Sequence, residues 1–164
     1  VYKFLRYFTF LDLVAIEEIE QSDNAAQGRR SAQGILAKEV TALIHGEAGV
    51  LAAERISQAL FSGDISQLTE NDLAQLALDG LPVHEVTAES GMLAGLLVDA
   101  GLAVTPRGEV TLGQARKFIQ EGAIQVNGIK VSDVTSEVGS KDALYGKYHL
   151  LRRGKKQFSL LVWR

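Results

Sequence analysis

The residues in this 164-residue chain best suited to chemistry are cations, and they gather toward its end. Arg116 and Lys117 stand side by side, Lys130 follows, and Lys147, Arg152, Arg153, Lys155 and Lys156 complete the set. From Lys147 onward there are six positive residues and no acidic one. Several Lys and Arg on one exposed face are what phosphate binding requires, because each neutralised phosphate releases condensed counterions and the gains add over contacts. Catalytic patterns are missing by comparison. There is no Gly-rich loop ending in Lys-Ser or Lys-Thr, no helical His-Glu-His metal pattern and no GxSxG elbow, so no catalytic residue is assigned. His45, His84 and His149 are isolated from one another and from other metal-ligand spacing, so no metal ligand is assigned either.

Positioning those cations requires particular elements. Thr111 is placed as an N-cap, Gln114 as its capping-box partner and Gly122 as a stop, which predicts a helix over 112–121. Leu112, Ala115, Phe118 and Ile119 make its apolar stripe, leaving Gln114, Arg116 and Lys117 able to reach water. After the stop, Ile124 and Val126 precede Asn127-Gly128, and Ile129 and Val131 follow. An Asn-Gly pair between alternating runs signals a two-residue hairpin, since both positions tolerate positive φ. Turn geometry accounts for Asn127, although its side-chain amide could also donate to a ligand. A second hairpin is expected from YHLLRR and QFSLLVW, with Gly154-Lys155-Lys156 at its tip.

The order GQARKFIQEGAIQVNGIKVSD resembles the core of an S4-type RNA-binding domain: a basic helix, a Gly, a short strand and a Val-Asn-Gly turn. Together with the helical segments upstream, the chain is similar to the C-terminal region of bacterial tyrosyl-tRNA synthetases. In that family a helical anticodon-binding domain precedes an S4 domain.

Composition bounds the reading. An apolar fraction of 46% supports a true core, and the length suits one domain or two small ones. There is no cysteine, hence no disulfide or thiolate chemistry, and no apolar run approaches a membrane span. The chain begins at Val1 in an already structured-looking segment, which reads as a piece of a longer polypeptide. The net charge of −3 hides a division. Residues 1–88 hold six Lys or Arg against 13 Asp or Glu, and residues 89–164 hold 11 against seven. An acidic chain would be a poor partner for nucleic acid, but a second half of opposite sign is a reasonable one.

In chain order, residues 1–10 form an aromatic packing helix, VYKFLRYFTF, whose partner is expected in an upstream domain. Leu11–Glu20 is a short amphipathic run and Ser22–Gly28 a polar loop. Arg29–His45 is the longest helix, with Ile35, Leu36, Val40, Leu43 and Ile44 along one side. Gly46 stops it, and a second helix over 50–60 returns antiparallel with Ala53, Ile56 and Leu60 on its core face. Arg29 and Arg30 at the helix start are further candidates for RNA phosphate. Phe61-Ser62-Gly63 opens a loop, and Thr69 caps a helix over Glu70–Leu78. Gly80–Thr87 is the expected linker, and Met92–Ala100 a helix stopped by Gly101.

The fold class is therefore α+β: an all-helical domain over 1–84, then a small S4-like domain over 88–164 of helices and a short-stranded antiparallel sheet. The resemblance implies that Arg116, Lys117, Lys130, Lys147, Arg152, Arg153, Lys155 and Lys156 contact RNA, with Gln114, Asn127, Arg29 and Arg30 as secondary candidates. It implies tyrosine tRNA as partner, held by its anticodon arm and long variable arm. It also implies a cytoplasmic ligase that uses ATP and magnesium and dimerises through a catalytic domain. This chain would then be monomeric, take no cofactor and have no membrane partner. GRRSAQ lacks the lysines of that family's Lys-Ser loop. Two other readings stay open: an S4-type module of a ribosome-associated or RNA-modifying protein, and a protein-interaction domain whose basic end meets an acidic partner.

Overall fold

The computed structural model describes residues 1–26, 28, 30–78 and 81–164, and they fall into two compact units, Val1–Arg55 and Ile56–Arg164. The first is helical. Helix α1 (Tyr2–Phe8) and helix α2 (Leu13–Ala25) meet the start of helix α3 (Ala32–Ser62) around Leu5, Ile16 and Ala32. Asp12 caps α2, accepting from Ala15 N at 2.7 Å. The expected loop over Ser22–Gly28 is helical as far as Ala25, because Asp23 has a structural task there. Its buried carboxylate accepts from Ser31 N at 2.6 Å, Ser31 Oγ at 2.9 Å, Ala32 N at 3.1 Å and the Tyr2 hydroxyl at 3.2 Å, tying three helices together. Those donors hold its carboxyl below the usual carboxylate range.

Gly46, at φ 70° and ψ 179°, breaks α3 where a stop is expected. Lys38 and Glu54, equally far from it in sequence, stand 3.5 Å apart, so the two arms lie side by side as an antiparallel pair. Several finer expectations fail. The helix starts at Ala32 rather than Arg29, and Leu43, Ile44 and Ala53 face solvent while Val50 and Ala59 are buried. In α1 only Leu5 is buried, while Phe4, Tyr7 and Phe8, and Phe10 just past the helix, are exposed, which is compatible with the packing partner expected upstream.

The second unit is built on a five-stranded sheet of order β1-β7-β6-β3-β4, where β1 is Val83–Val86, β3 Ile124–Val126, β4 Ile129–Val131, β6 Tyr148–Arg153 and β7 Gln157–Trp163. Strand β2 (Ser90–Met92) pairs separately with β5 (Glu137–Gly139). The main sheet is antiparallel except at β1, which runs parallel to β7. The expected linker is thus an edge strand. Its partner β7 gives it main-chain bonds, and Leu160 N also reaches Pro82 O at 2.8 Å.

Alternation along β6 and β7 divides the sheet into two buried faces. Leu151, Leu161 and Trp163 pack with Ile124 under helices α5 (Leu93–Asp99) and α6 (Leu112–Gln120). Tyr148, Leu150, Leu160 and Val162 pack on the other side with Ala59, Ile65, Leu68, Leu73 and Leu76, from the end of α3, a 3-10 turn (Ile65–Gln67) and helix α4 (Glu70–Leu78). Residues 56–78 therefore pack on the sheet, which is why the compact units divide at 55 and not at the expected 84. The cap expected of α4 is a full capping box: Thr69 N and Oγ1 both donate to Asp72 at 2.8 Å, and Asp72 N donates back to Thr69 Oγ1 at 3.2 Å. Among the described residues no helix is long and apolar enough to cross a membrane.

Candidate nucleic-acid interface

Helix α6 forms where its sequence signals place it. Thr111 Oγ1 accepts from Gln114 N at 3.2 Å, but the box is only half made, because Thr111 N donates to Ala103 O at 3.2 Å. At the other end Gly122 takes φ 62°, its N–H bonds Ile119 O at 2.8 Å, and Ala123 N bonds Phe118 O at 2.9 Å, a Schellman closure that needs glycine. Ala115 and Ile119 are fully buried, Arg116 and Lys117 exposed, and Gln114 half-buried. Lys117 stands 3.9 Å from Glu121, an exposed i,i+4 pair that holds the side chain only weakly.

The following hairpin turns at Asn127 (φ 49°) and Gly128 (φ 77°), as expected of a primed turn. Asn127 also joins the sheet: its N–H donates to Leu150 O, and its side-chain carbonyl accepts from Leu150 N, each at 2.9 Å. Gly128 has a second reason to be glycine, since a Cβ there would lie 2.6 Å from Gly63 O. Lys130 extends from β4 so that its stem runs against Gly122 and would have to swing aside for a side chain there.

In the closing hairpin, Arg152 and Arg153 are neighbours in sequence but project from opposite faces of β6. Arg152 donates through Nε to Gly154 O at 2.8 Å and lies over Phe158, its Cζ 5.4 Å from the ring centroid. Arg153 donates through Nη1 to Leu102 O at 2.6 Å and Val104 O at 3.4 Å, with its Cζ 4.7 Å from the Phe118 centroid. Lys155 and Lys156 are exposed at the tip, which Gly154 N anchors to Ala123 O at 2.9 Å.

That bond gathers the site. The last turn of α6 with Lys117, the Gly122-Ala123 corner with Lys130 beside it, and the tip with Lys155 and Lys156 share one end of the sheet. Arg116 lies on the exposed side of the same helix. Lys147 does not join them: it stands at the opposite end of β6, over the Tyr148 ring at 5.2 Å and roughly 17 Å along the strand from Arg152. Arg30 is exposed in the first unit, and Arg29 lies outside the described residues. By compact unit, the second holds 11 Lys or Arg against 12 Asp or Glu, so charge is segregated within that unit and not between the two. The same unit carries Glu70 and Asp72 in the first turn of α4.

What sequence reasoning missed is the role of backbone carbonyls and Phe118 beneath Arg153. A period of two along YHLLRR was the available signal. It also missed His149, which is 1% exposed, accepts from Trp163 Nε1 at 2.7 Å through Nδ1, and is kept neutral by burial that pushes its pKa down. Among the described residues no group of three or more His, Cys, Asp or Glu stands where it could hold a metal ion.

Residues 72–161 match the family model described as the tyrosine–tRNA ligase SYY-like C-terminal domain. A tyrosine–tRNA ligase of Aliivibrio fischeri (strain MJ11) is 51% identical over all 164 residues, which cover 37% of that protein. One from Laribacter hongkongensis (strain HLHK9) is 48% identical over 163 residues, 99% of this chain and 37% of that protein. A solution structure titled tyrosyl-tRNA synthetase C-terminal domain is 37% identical, covering 65% of this chain and 100% of that one at a TM-score of 0.48. The chain thus spans little more than a third of the length of these two ligases.

Proposed function

The chain belongs to the tyrosine–tRNA ligase family, and from that premise we propose that it is the part of such a ligase that grips tyrosine tRNA. The observation carrying this reading is the convergence of Lys117, Lys130, Lys155 and Lys156 on one end of the sheet, inside the stretch matched by the family model. Four ammonium groups on one end, with Arg116 on the adjoining helix, suit successive phosphates of a folded strand. Side chains of this length cannot read the deep groove of A-form RNA, so the unit recognises backbone shape more than base sequence.

In this reading residues 1–84 approach the anticodon stem and loop, with Arg30 facing phosphate. Residues 88–164 hold the anticodon arm and the long variable arm. Gln114 adds to the contacts of α6, the free donors of the Asn127 amide can meet the ribose-phosphate chain, and Lys147 serves a separate part of the footprint. Tyrosine attachment, with ATP and magnesium, belongs to the remainder of the ligase. Dimerisation likewise falls to the remainder, this chain alone is monomeric, and the setting is the cytoplasm, where tRNA is charged.

The test is a titration of the chain with tyrosine tRNA before and after Lys117, Lys130, Lys155 and Lys156 are all changed to Gln. Binding should weaken by about tenfold or more, and the slope of log K against log salt should flatten by about three to four. Equal affinity and equal slope would contradict the assignment.

A further inference from the structure

We propose that Arg153 is a positioning residue for the RNA-gripping helix and not itself a phosphate ligand, an inference that rests on the reading above. Arg153 closes β6 on the face it shares with the fully buried Leu151, opposite Ile124 on β3 and Gln157 on β7. Its guanidinium is turned inward along that face. Nη1 donates to the carbonyls of Leu102 and Val104, and the planar group lies over Phe118.

The two carbonyls belong to the segment that delivers the chain to α6. Successive carbonyls of an extended segment point to opposite sides. Leu102 O and Val104 O meet Arg153, while Ala103 O, between them, accepts from Thr111 N, and Val104 bridges Val110. Thr111 is the N-cap of α6. Arg153 thus acts as a side-chain substitute for a missing strand: it holds 102–104 in place, 102–104 holds the N-cap, and the ring of Phe118 is held from below. Arg116 and Lys117 immediately precede Phe118. Their reach toward a phosphate is set by the rotation and height of α6 over the sheet, which this clamp fixes at two points. Lysine cannot replace it. Its ammonium group could still donate to the carbonyls but has no planar surface to lay on the ring.

A direct phosphate contact and a clamp differ in what each variant does. Arg153→Lys keeps the charge and loses the clamp; Phe118→Leu keeps every charge and loses the stacking partner. Both are made in the 164-residue chain, alone and together with Arg116→Gln and Lys117→Gln, and each is titrated with tyrosine tRNA at two salt concentrations. The clamp predicts that either variant alone weakens binding by about fivefold, and that neither adds to the loss caused by Arg116→Gln with Lys117→Gln, as coupled neighbours behave. Hydrogen exchange of the free chain supplies a readout that does not need RNA. The amides of Ala115 to Ile119 should lose protection in both variants, while those of β6 and β7 keep it.

Several results overturn the inference: near-normal binding by Arg153→Lys, losses that add in the two backgrounds, unchanged exchange in α6, or protection lost throughout the sheet. Failure of the unaltered chain to bind tRNA at all would instead remove the functional reading, leaving the exchange result to decide the clamp.

Discussion

Single residues in this chain can serve the fold and the proposed RNA surface at once, and their chemistry tells which use dominates. His149 serves the fold. Its ring lies edge-on to Trp163, centroids 5.7 Å apart, and the indole N–H donates to Nδ1, so the buried imidazole is neutral with its proton on Nε2. Burial, the largest influence, lowers its pKa, outweighing the nearby Asp142 that raises it. The sign follows from linkage. An unfolded chain takes up a proton at this residue as pH falls below about 6.5, and the folded one resists it. Its contribution to stability is complete above that value and declines as pH drops toward the lowered folded pKa. Thermal unfolding should therefore show Tm falling between about pH 7 and pH 5, a window above the carboxylate range of Asp23 and Glu85. In His149→Asn, which keeps an acceptor but cannot titrate, Tm should change less across that window. Equal slopes in the two proteins would rule this account out.

Elements show where sequence signals suffice and where they do not. The capped helix α6, the Asn127-Gly128 hairpin, the Thr69 cap of α4 and the β6–β7 hairpin are legible, because each is specified by residues within a few positions of one another. Strands β1, β2 and β5 are not, since each is four residues or fewer and is defined by a distant partner. The end of α2 is missed for the same reason: Asp23 acquires its helical setting from Ser31, Ala32 and Tyr2. The capping box of α6 is a sharper case. Thr111→Ala should cost about 1 kcal/mol of stability through loss of the cap. Gln114→Ala should cost close to nothing, because the bond it was expected to return is taken by Ala103. Denaturant titration of the two variants checks this, and a Gln114 variant as damaging as the Thr111 one would show that the full box forms.

On the scale of the whole molecule, the sign of charge changes along the chain near residue 88, whereas the compact units divide after Arg55. The break near residue 88 falls within one compact unit, because residues 56–78 pack their apolar side chains on the back of the sheet. Cations gathered at one end of a unit that is otherwise acidic form a directional patch, which orients a polyanion as well as attracting it. Which of the twelve candidate residues meet there was not legible, since strand alternation and the Gly154–Ala123 bond decide it. Arg153 turns inward, Lys147 stands at the far end, and Lys130 arrives beside Gly122. The most direct measurement is a titration of the chain with tyrosine tRNA and with a tRNA carrying a short variable arm, at low and moderate salt. Tighter binding of tyrosine tRNA at both salts, with affinity for each falling steeply as salt rises, is the predicted result. Equal affinity for the two RNAs, or binding that salt leaves unchanged, would contradict it.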